Sequence, residues 1–235
     1  VIDDLQTKIA RGRWDIAYFA RELLGITLHS GQIRFAKAVL TRDKTRWRPA
    51  YLTILLSAGN KAGKTLILAI VILHSVFYKV GTRPPKDDPK DIDRWQRAEY
   101  HWFHLAIQQE VAELVFAIIG KILSGLHEAQ GPDGCPLTNE LPNAVDWTKK
   151  YGGEYRWIVL HAMLGGGEIH FRTTSERALG SLGRDMHGIS FDEAAFEPHL
   201  EFVVGEVLHL RRLTTGGQLL LISTPTQGLT AFADM

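Results

Sequence analysis

One local pattern limits the possible folds of this chain more than any other. An apolar run over residues 51–56 leads into Ala58-Gly59-Asn60-Lys61-Ala62-Gly63-Lys64-Thr65, and a long apolar helix pattern follows from 64 to about 79. The string fits G-x-x-x-x-G-K-[ST] except at its first position, where Ala58 stands in place of Gly. A strand, such a loop and then a helix aim backbone N–H groups and the positive end of a helix dipole at a phosphate. Gly59 and Gly63 supply permissive torsions. Lys64 is placed for the β- and γ-phosphates of a nucleotide, and Thr65 for Mg²⁺ through its hydroxyl. The run at 51–56 reads as a buried strand. The helix, apolar nearly all round, is expected to be covered on more than one side.

The rest of the chain reads as strands alternating with helices, which predicts an α/β domain with a mainly parallel sheet. Strand patterns fall at 102–107, 155–160, 168–173, 189–191 and 218–223, the second and third joined through Gly165-Gly166-Gly167. Helix patterns fall at 15–24, stopped by Gly25, at 109–126, and from the Asp192-Glu193 pair to about 210. Ser30 is a candidate cap for a further helix carrying Ile33, Phe35, Ala36, Val39 and Leu40. Residues 81–99, Pro-rich with five cationic and five anionic side chains, read as a surface loop, and 127–150 as a surface insertion. The division expected is an N-terminal helical segment, 1–48, packing on a core, 49–235.

Composition matters here for what it removes. With 45% hydrophobic and 23% charged residues the chain is an ordinary globular one. Cys135 is its single cysteine, so no intramolecular disulfide exists. The longest apolar run, 66–73, is too short for the ~20 residues that span a bilayer, and no signal peptide opens the sequence. A net charge of +1 neither demands nor excludes a polyanionic partner bound through a local patch. The start at Val1 and the stop at Met235 after a strand pattern read as a piece of a longer protein.

Two further signals complete a chemistry. Ile189-Ser190-Phe191-Asp192-Glu193 is an apolar strand ending in paired carboxylates, with Asp192 placed to bind Mg²⁺ and Glu193 to polarise an attacking water as general base. Residues 219–222 run into Ser223-Thr224-Pro225-Thr226, a polar pair at the end of a core strand where a γ-phosphate or its water would be felt.

Phosphate loop, strand–Asp-Glu-Ala and strand–Ser-Thr-Pro, in that order, resemble the ATPase domain of the large terminase subunit of tailed double-stranded DNA phages. The resemblance covers about residues 29–228. It implies an additional-strand, RecA-like P-loop NTPase that hydrolyses ATP with Mg²⁺ to move double-stranded DNA into a procapsid. It implies that Gln32, in His29-Ser30-Gly31-Gln32, reads adenine, that Lys61 is the basic residue within the loop, and that Ser223 and Thr224 couple hydrolysis to movement. Ser181-Leu182-Gly183-Arg184 is similar to the family's Ser-Leu-Arg-Gly run, with Gly and Arg exchanged. A ring motor of this kind needs a cation on the transferring phosphoryl group, often an arginine lent by the neighbouring subunit. Arg184 is the first candidate, Arg177 the second, and Arg172 lies in the same stretch. Arg211-Arg212 and Arg46/Arg48 are candidate DNA-backbone contacts. Implied partners are DNA, a homo-oligomeric ring, the portal and procapsid and the small terminase subunit, with no membrane, in the host cytoplasm. The C-terminal nuclease domain of the family has no counterpart in these residues.

Two other functions stay open on the residues: a P-loop helicase or translocase of another branch, and a nucleotide-gated binding module without turnover. A zinc site is not expected. His101 and His104 are three apart on a strand and face opposite ways, the other histidines lack zinc spacing, and the six tryptophans read as core.

Overall fold

The computed structural model describes residues 2–42, 48–59, 61–83, 88–139, 145–152, 155–162, 165–174 and 184–225. Its centre is a seven-stranded sheet in the order β1-β7-β6-β2-β5-β4-β3. The strands are β1 (Thr53–Ser57), β2 (His101–Ala106), β3 (Val145–Gly152), β4 (Tyr155–Ala162), β5 (Gly165–Thr173), β6 (Gly188–Asp192) and β7 (Gln218–Ser223). From β1 across to β5 every pairing is parallel. Strands β4 and β3 extend the sheet as antiparallel neighbours. The mainly parallel α/β sheet expected from the alternation is therefore present, with a β-meander added on one side.

Alternation along each strand divides the sheet into two faces. Trp102, Ile169, Phe171, Leu220 and Ile222 turn to one face, where they join a cluster with α4 (Lys64–Phe77) and α6 (Gln109–Leu123). Phe103, Leu105, Ile189, Phe191, Leu219 and Leu221 turn to the other and meet Leu200, Val203 and Leu208 of the helical stretch 200–213. Helix α4 is buried continuously from Ile67 to Phe77, as its all-round apolar sequence requires.

The N-terminal helices α1 (Ile2–Gly12), α2 (Ile16–Tyr18, running on as a π-turn over Phe19–Leu23) and α3 (Ser30–Leu40) pack onto α4 through the first cluster, which includes Ile9, Phe19, Leu23 and Ile26. Two polar ties fix α1 to α4: Tyr78 Oη donates to the Ile9 carbonyl at 2.7 Å, and His74 Nε2 to that of Gly12 at 3.0 Å. Burial holds His74 neutral, its pKa lowered to about 3.

Several local readings are corrected. Strand β1 is an edge strand rather than a buried one: Ile54 and Leu56 pack inward, while Leu55 on the opposite face is 38% exposed. The cap of α3 is His29, whose Nδ1 accepts from Gln32 N while Gln32 Oε1 accepts from His29 N. Residues 81–99 are not all loop, since α5 (Pro89–Arg97) forms there, capped by Asp88 with Pro at its first turn. The loop reading failed because the prolines and balanced charges outweighed a short apolar face of only Ile92 and Trp95, neither of which is fully buried. Its C-terminal carbonyls at Trp95 and Gln96, and that of Ala98, all accept from Lys79 Nζ. The insertion at 127–150 contains α7 (Pro136–Asn139) and the start of β3. Trp102 is buried as expected, but Trp14 is 66% exposed.

Candidate functional site

Parallel pairing brings the C-terminal ends of β1, β7 and β6 side by side, and three of the sequence signals meet there. The loop leaves β1 with Ala58 N donating to the Ser223 carbonyl at 3.2 Å, so β1 stays paired to β7 one residue past the strand. Lys61 and Gly63 both adopt left-handed backbone, at φ 63° and 71°. Gly63 is also the N-cap of α4, and a Cβ there would lie 2.6 Å from Gln32 Nε2. Torsion favours glycine here, and a Cβ would also oblige the end of the Gln32 side chain to move. Thr65, half-buried, sits in the first turn of α4. Asn60 lies outside the described residues.

Lys64 folds back over the loop. Its Nζ donates to the Ala58 carbonyl and to Thr224 Oγ1, each at 2.8 Å. Thr224 Oγ1 in turn donates to Glu193 Oε1 at 3.2 Å, and Ser223 Oγ donates to Glu193 Oε2 at 3.2 Å. The Thr224 amide donates to the same Oε2 at 3.4 Å. One chain of hydrogen bonds therefore runs from the phosphate loop through the end of β7 to the carboxylate at the end of β6. Glu193 is in left-handed backbone at φ 54°, a strained conformation for a residue with a Cβ, and that turn aims its carboxylate across β7.

Asp192 occupies the last position of β6 and is almost wholly buried. Burial raises its carboxyl to about 6. The Glu193 amide, donating to Oδ1 at 3.0 Å, and the Lys64 charge oppose the shift, while the Glu193 charge adds to it. A carboxylate in this position is short of positive charge, and a divalent cation beside the first turn of α4 would supply it. The two residues nominated from sequence, Asp192 and Thr65, both offer oxygen donors, which suit Mg²⁺.

Gln32 reaches this site, but its amide is engaged on both sides. Oε1 takes part in the α3 cap, and Nε2 donates to the Gly63 carbonyl at 3.2 Å. His29 joins it, with Nε2 3.4 Å from the Ala62 carbonyl. The pair braces the loop against α3. No sequence pattern singled out His29, because a histidine at a helix start carries no motif.

The arginines are placed elsewhere. Arg184 precedes β6, and its Nη1 donates to Glu168 Oε2 at 2.5 Å near the start of β5. The length of β6, roughly 13 Å at ~3.3 Å per residue, separates that end of the sheet from Asp192. Arg184 is thus remote from the phosphate loop of its own chain. Arg172 lies over the Tyr155 ring at 4.1 Å. Arg177 and Arg46 fall outside the described residues. Arg212 does not face solvent for DNA: it is buried, and its guanidinium donates to the Leu52 carbonyl at 2.5 Å and to Thr53 Oγ1, tying the helical stretch to β1. Arg211 and Arg48 are exposed.

No protein-family model and no curated protein matches the sequence. Solved structures do match. The ATPase domain of the large terminase of Thermus phage P74-26 superposes with a TM-score of 0.55 at 20% identity, over 91% of this chain and 71% of that one. A mutant of the same domain gives 0.58 at 19% identity over the same shares. The HK97 bacteriophage large terminase gives 0.55 at 17% identity, over 91% of this chain and 37% of its own. The chain has the fold of phage large terminase ATPase domains, a RecA-like sheet with the phosphate-loop strand and the acidic strand separated by one strand. Among the described residues no helix is long and apolar enough to cross a membrane.

Proposed function

We propose that this chain is a Mg²⁺-dependent ATPase that drives double-stranded DNA into a procapsid as the motor domain of a large terminase. The observation that carries the reading is the hydrogen-bonded chain Lys64–Thr224–Glu193, which links phosphate loop, coupling strand and acidic strand. In this reading the loop from Ala58 through Gly63, Asn60 included, wraps the phosphates with its backbone, and Lys64 transfers its contact from Thr224 to them. Thr65 and Asp192 would hold Mg²⁺, which would supply positive charge against the phosphates. Glu193 orients and accepts a proton from the attacking water. Ser223 and Thr224, bonded to Glu193, transmit its movement to β7. Lys61, exposed on the loop, supplies further positive charge, and Gln32 reads the base on release from Gly63.

Arg184 and Arg177 are the arginines this reading offers to a neighbouring subunit in a homo-oligomeric ring, where Arg184 would have to leave Glu168. DNA backbone, portal, procapsid and small terminase subunit are the partners, and the host cytoplasm the setting.

The test is ATP turnover with and without Mg²⁺ over a series of protein concentrations, for wild type and Lys64→Ala. Turnover that requires Mg²⁺, disappears in the variant and rises more steeply than protein concentration is the expected result. Absence of ATP binding would remove the reading entirely.

A further inference from the structure

Two imidazoles and a carboxylate meet at the opposite end of the sheet. In the parallel β2–β5 pair His101 lies opposite Glu168 and Phe103 opposite His170. Glu168 and His170, two apart on β5, therefore share the face that His101 occupies on β2. His101 Nδ1 and His170 Nε2 are 3.2 Å apart, and Glu168 Oε2 is 3.7 Å from the first and 3.3 Å from the second. Ligands held at about 2.0–2.1 Å in a tetrahedron are about 3.3–3.4 Å from one another. Two of the three separations thus match adjacent corners of such a site, and the third, His101 Nδ1 to Glu168 Oε2 at 3.7 Å, is about 0.3 Å longer.

The groups behind them fit as well. A metal-bound histidine usually engages its other ring nitrogen with a carboxylate or another oxygen. His101 Nε2 donates to Glu99 Oε2 at 3.0 Å, which leaves its Nδ1 lone pair aimed into the cluster. His170 Nδ1 is hydrogen-bonded to Tyr155 Oη. Arg184 holds the Glu168 carboxylate beside the rings. A proton on His170 Nε2 satisfies the nitrogen–nitrogen contact alone, and Arg184 already bonds Glu168 Oε2; a cation would engage both imidazole lone pairs and a further lone pair of that oxygen at once. His101 and His170 are buried, but His101 and Glu168 line an open cavity of about 450 Å³ together with Lys79, Glu99, His161 and Arg184. A fourth ligand has room to enter there.

The geometry points to a binding site for a divalent transition-metal ion of the zinc type, held by His101, His170 and Glu168, separate from the Mg²⁺ position at Asp192. Imidazole donors favour zinc-like ions over Mg²⁺, so the two ends of the sheet would take different metals. The site does not depend on the ATPase reading.

Co²⁺, a spectroscopic stand-in for Zn²⁺, tests it on the full 235-residue chain. The protein is stripped with chelator and titrated in excess Mg²⁺ without nucleotide. One equivalent should bind with the visible absorption of a four-coordinate nitrogen–oxygen site, and Zn²⁺ should bleach it. His101→Ala and His170→Ala should abolish it. Because those rings are buried, Glu168→Gln and Tyr155→Phe provide gentler variants, the second weakening binding about 10-fold or more. Asp192→Asn should leave the signal intact. Wild type that binds no more Co²⁺ than Glu168→Gln, or a signal lost in Asp192→Asn, would overturn the proposal.

Discussion

The two ends of this sheet are built differently. At the C-terminal ends of β1, β6 and β7 the gathered polar groups sit on strand ends and turns, with left-handed backbone at Lys61, Gly63 and Glu193. At the N-terminal ends of β2 and β5 the cluster of His101, Glu168 and His170 stands on regular strand, its geometry set by register alone. A strained turn needs particular residues in consecutive positions, so it writes a motif. A cross-strand cluster needs only the right side chain on each of two strands, so it writes almost nothing.

The sharpest way to separate the ends is Glu193→Gln. The substitution keeps the side-chain shape and one acceptor oxygen, replaces the other oxygen by an NH₂ donor, and removes the charge of a base. ATP turnover should fall about 10²- to 10⁴-fold with nucleotide affinity little changed and Co²⁺ binding at His101 untouched. A variant as fast as wild type would remove Glu193 as the base. A change at the far end would show that the ends are not independent.

Acid should instead act on the fold as a whole, through histidines buried neutral in it. Burial lowers His74 and His104 each to about 3, against 6.5 for a free imidazole. The unfolded chain therefore binds protons that the native one refuses, and stability is full above about pH 6.5 and declines as pH falls toward 3. At pH 5 the loss should be about 2 kcal/mol per histidine, from ~1.4 kcal/mol per unit. Urea midpoints at pH 7 and pH 5 check it. A midpoint that holds or rises on acidification would contradict the buried-neutral assignment.

Gly63→Ala probes the strained end at smaller scale. Left-handed torsion and the approach of Gln32 Nε2 should together cost about 2–3 kcal/mol and weaken ATP binding. Adding Gln32→Ala removes the clash but not the torsion, so it should restore part of the stability. Full restoration would mean that φ at this position is unimportant.

Legibility in the sequence follows the same division. The loop from Ala58 to Thr65, Asp192-Glu193 and Ser223-Thr224 were readable because turns and strand ends demand contiguous residues, and the structure brings their described members together. The parallel core was readable from alternating strand and helix patterns. Strand β3 was hidden because its exposed polar residues, Asp146, Thr148 and Lys150, gave no apolar run. The edge position of β1 was hidden because Leu55 and Leu56 look alike in sequence while facing solvent and core respectively. His101 and His104 do face opposite sides, yet the partner of His101 was His170 on the neighbouring strand, and spacing within one strand cannot reveal that.

Arg211 and Arg212 test the comparison at its smallest scale, since adjacent like residues at the N-terminal end of the sheet have opposite duties. Arg212 is spent on the Leu52 carbonyl and Thr53 Oγ1, which hold the start of β1 to the helical stretch. Arg212→Met should therefore cost about 1–2 kcal/mol of stability through lost charged hydrogen bonds, read as a lower urea midpoint, with no change in the salt dependence of DNA binding. Arg211, exposed one residue earlier, should do the reverse: Arg211→Met leaves the midpoint within about 0.5 kcal/mol and, if this face meets DNA, reduces the salt slope by about 1. Equal effects on stability would mean that the anchoring of β1 does not rest on Arg212, and that the edge strand carrying the phosphate loop is held by its pairing with β7 alone.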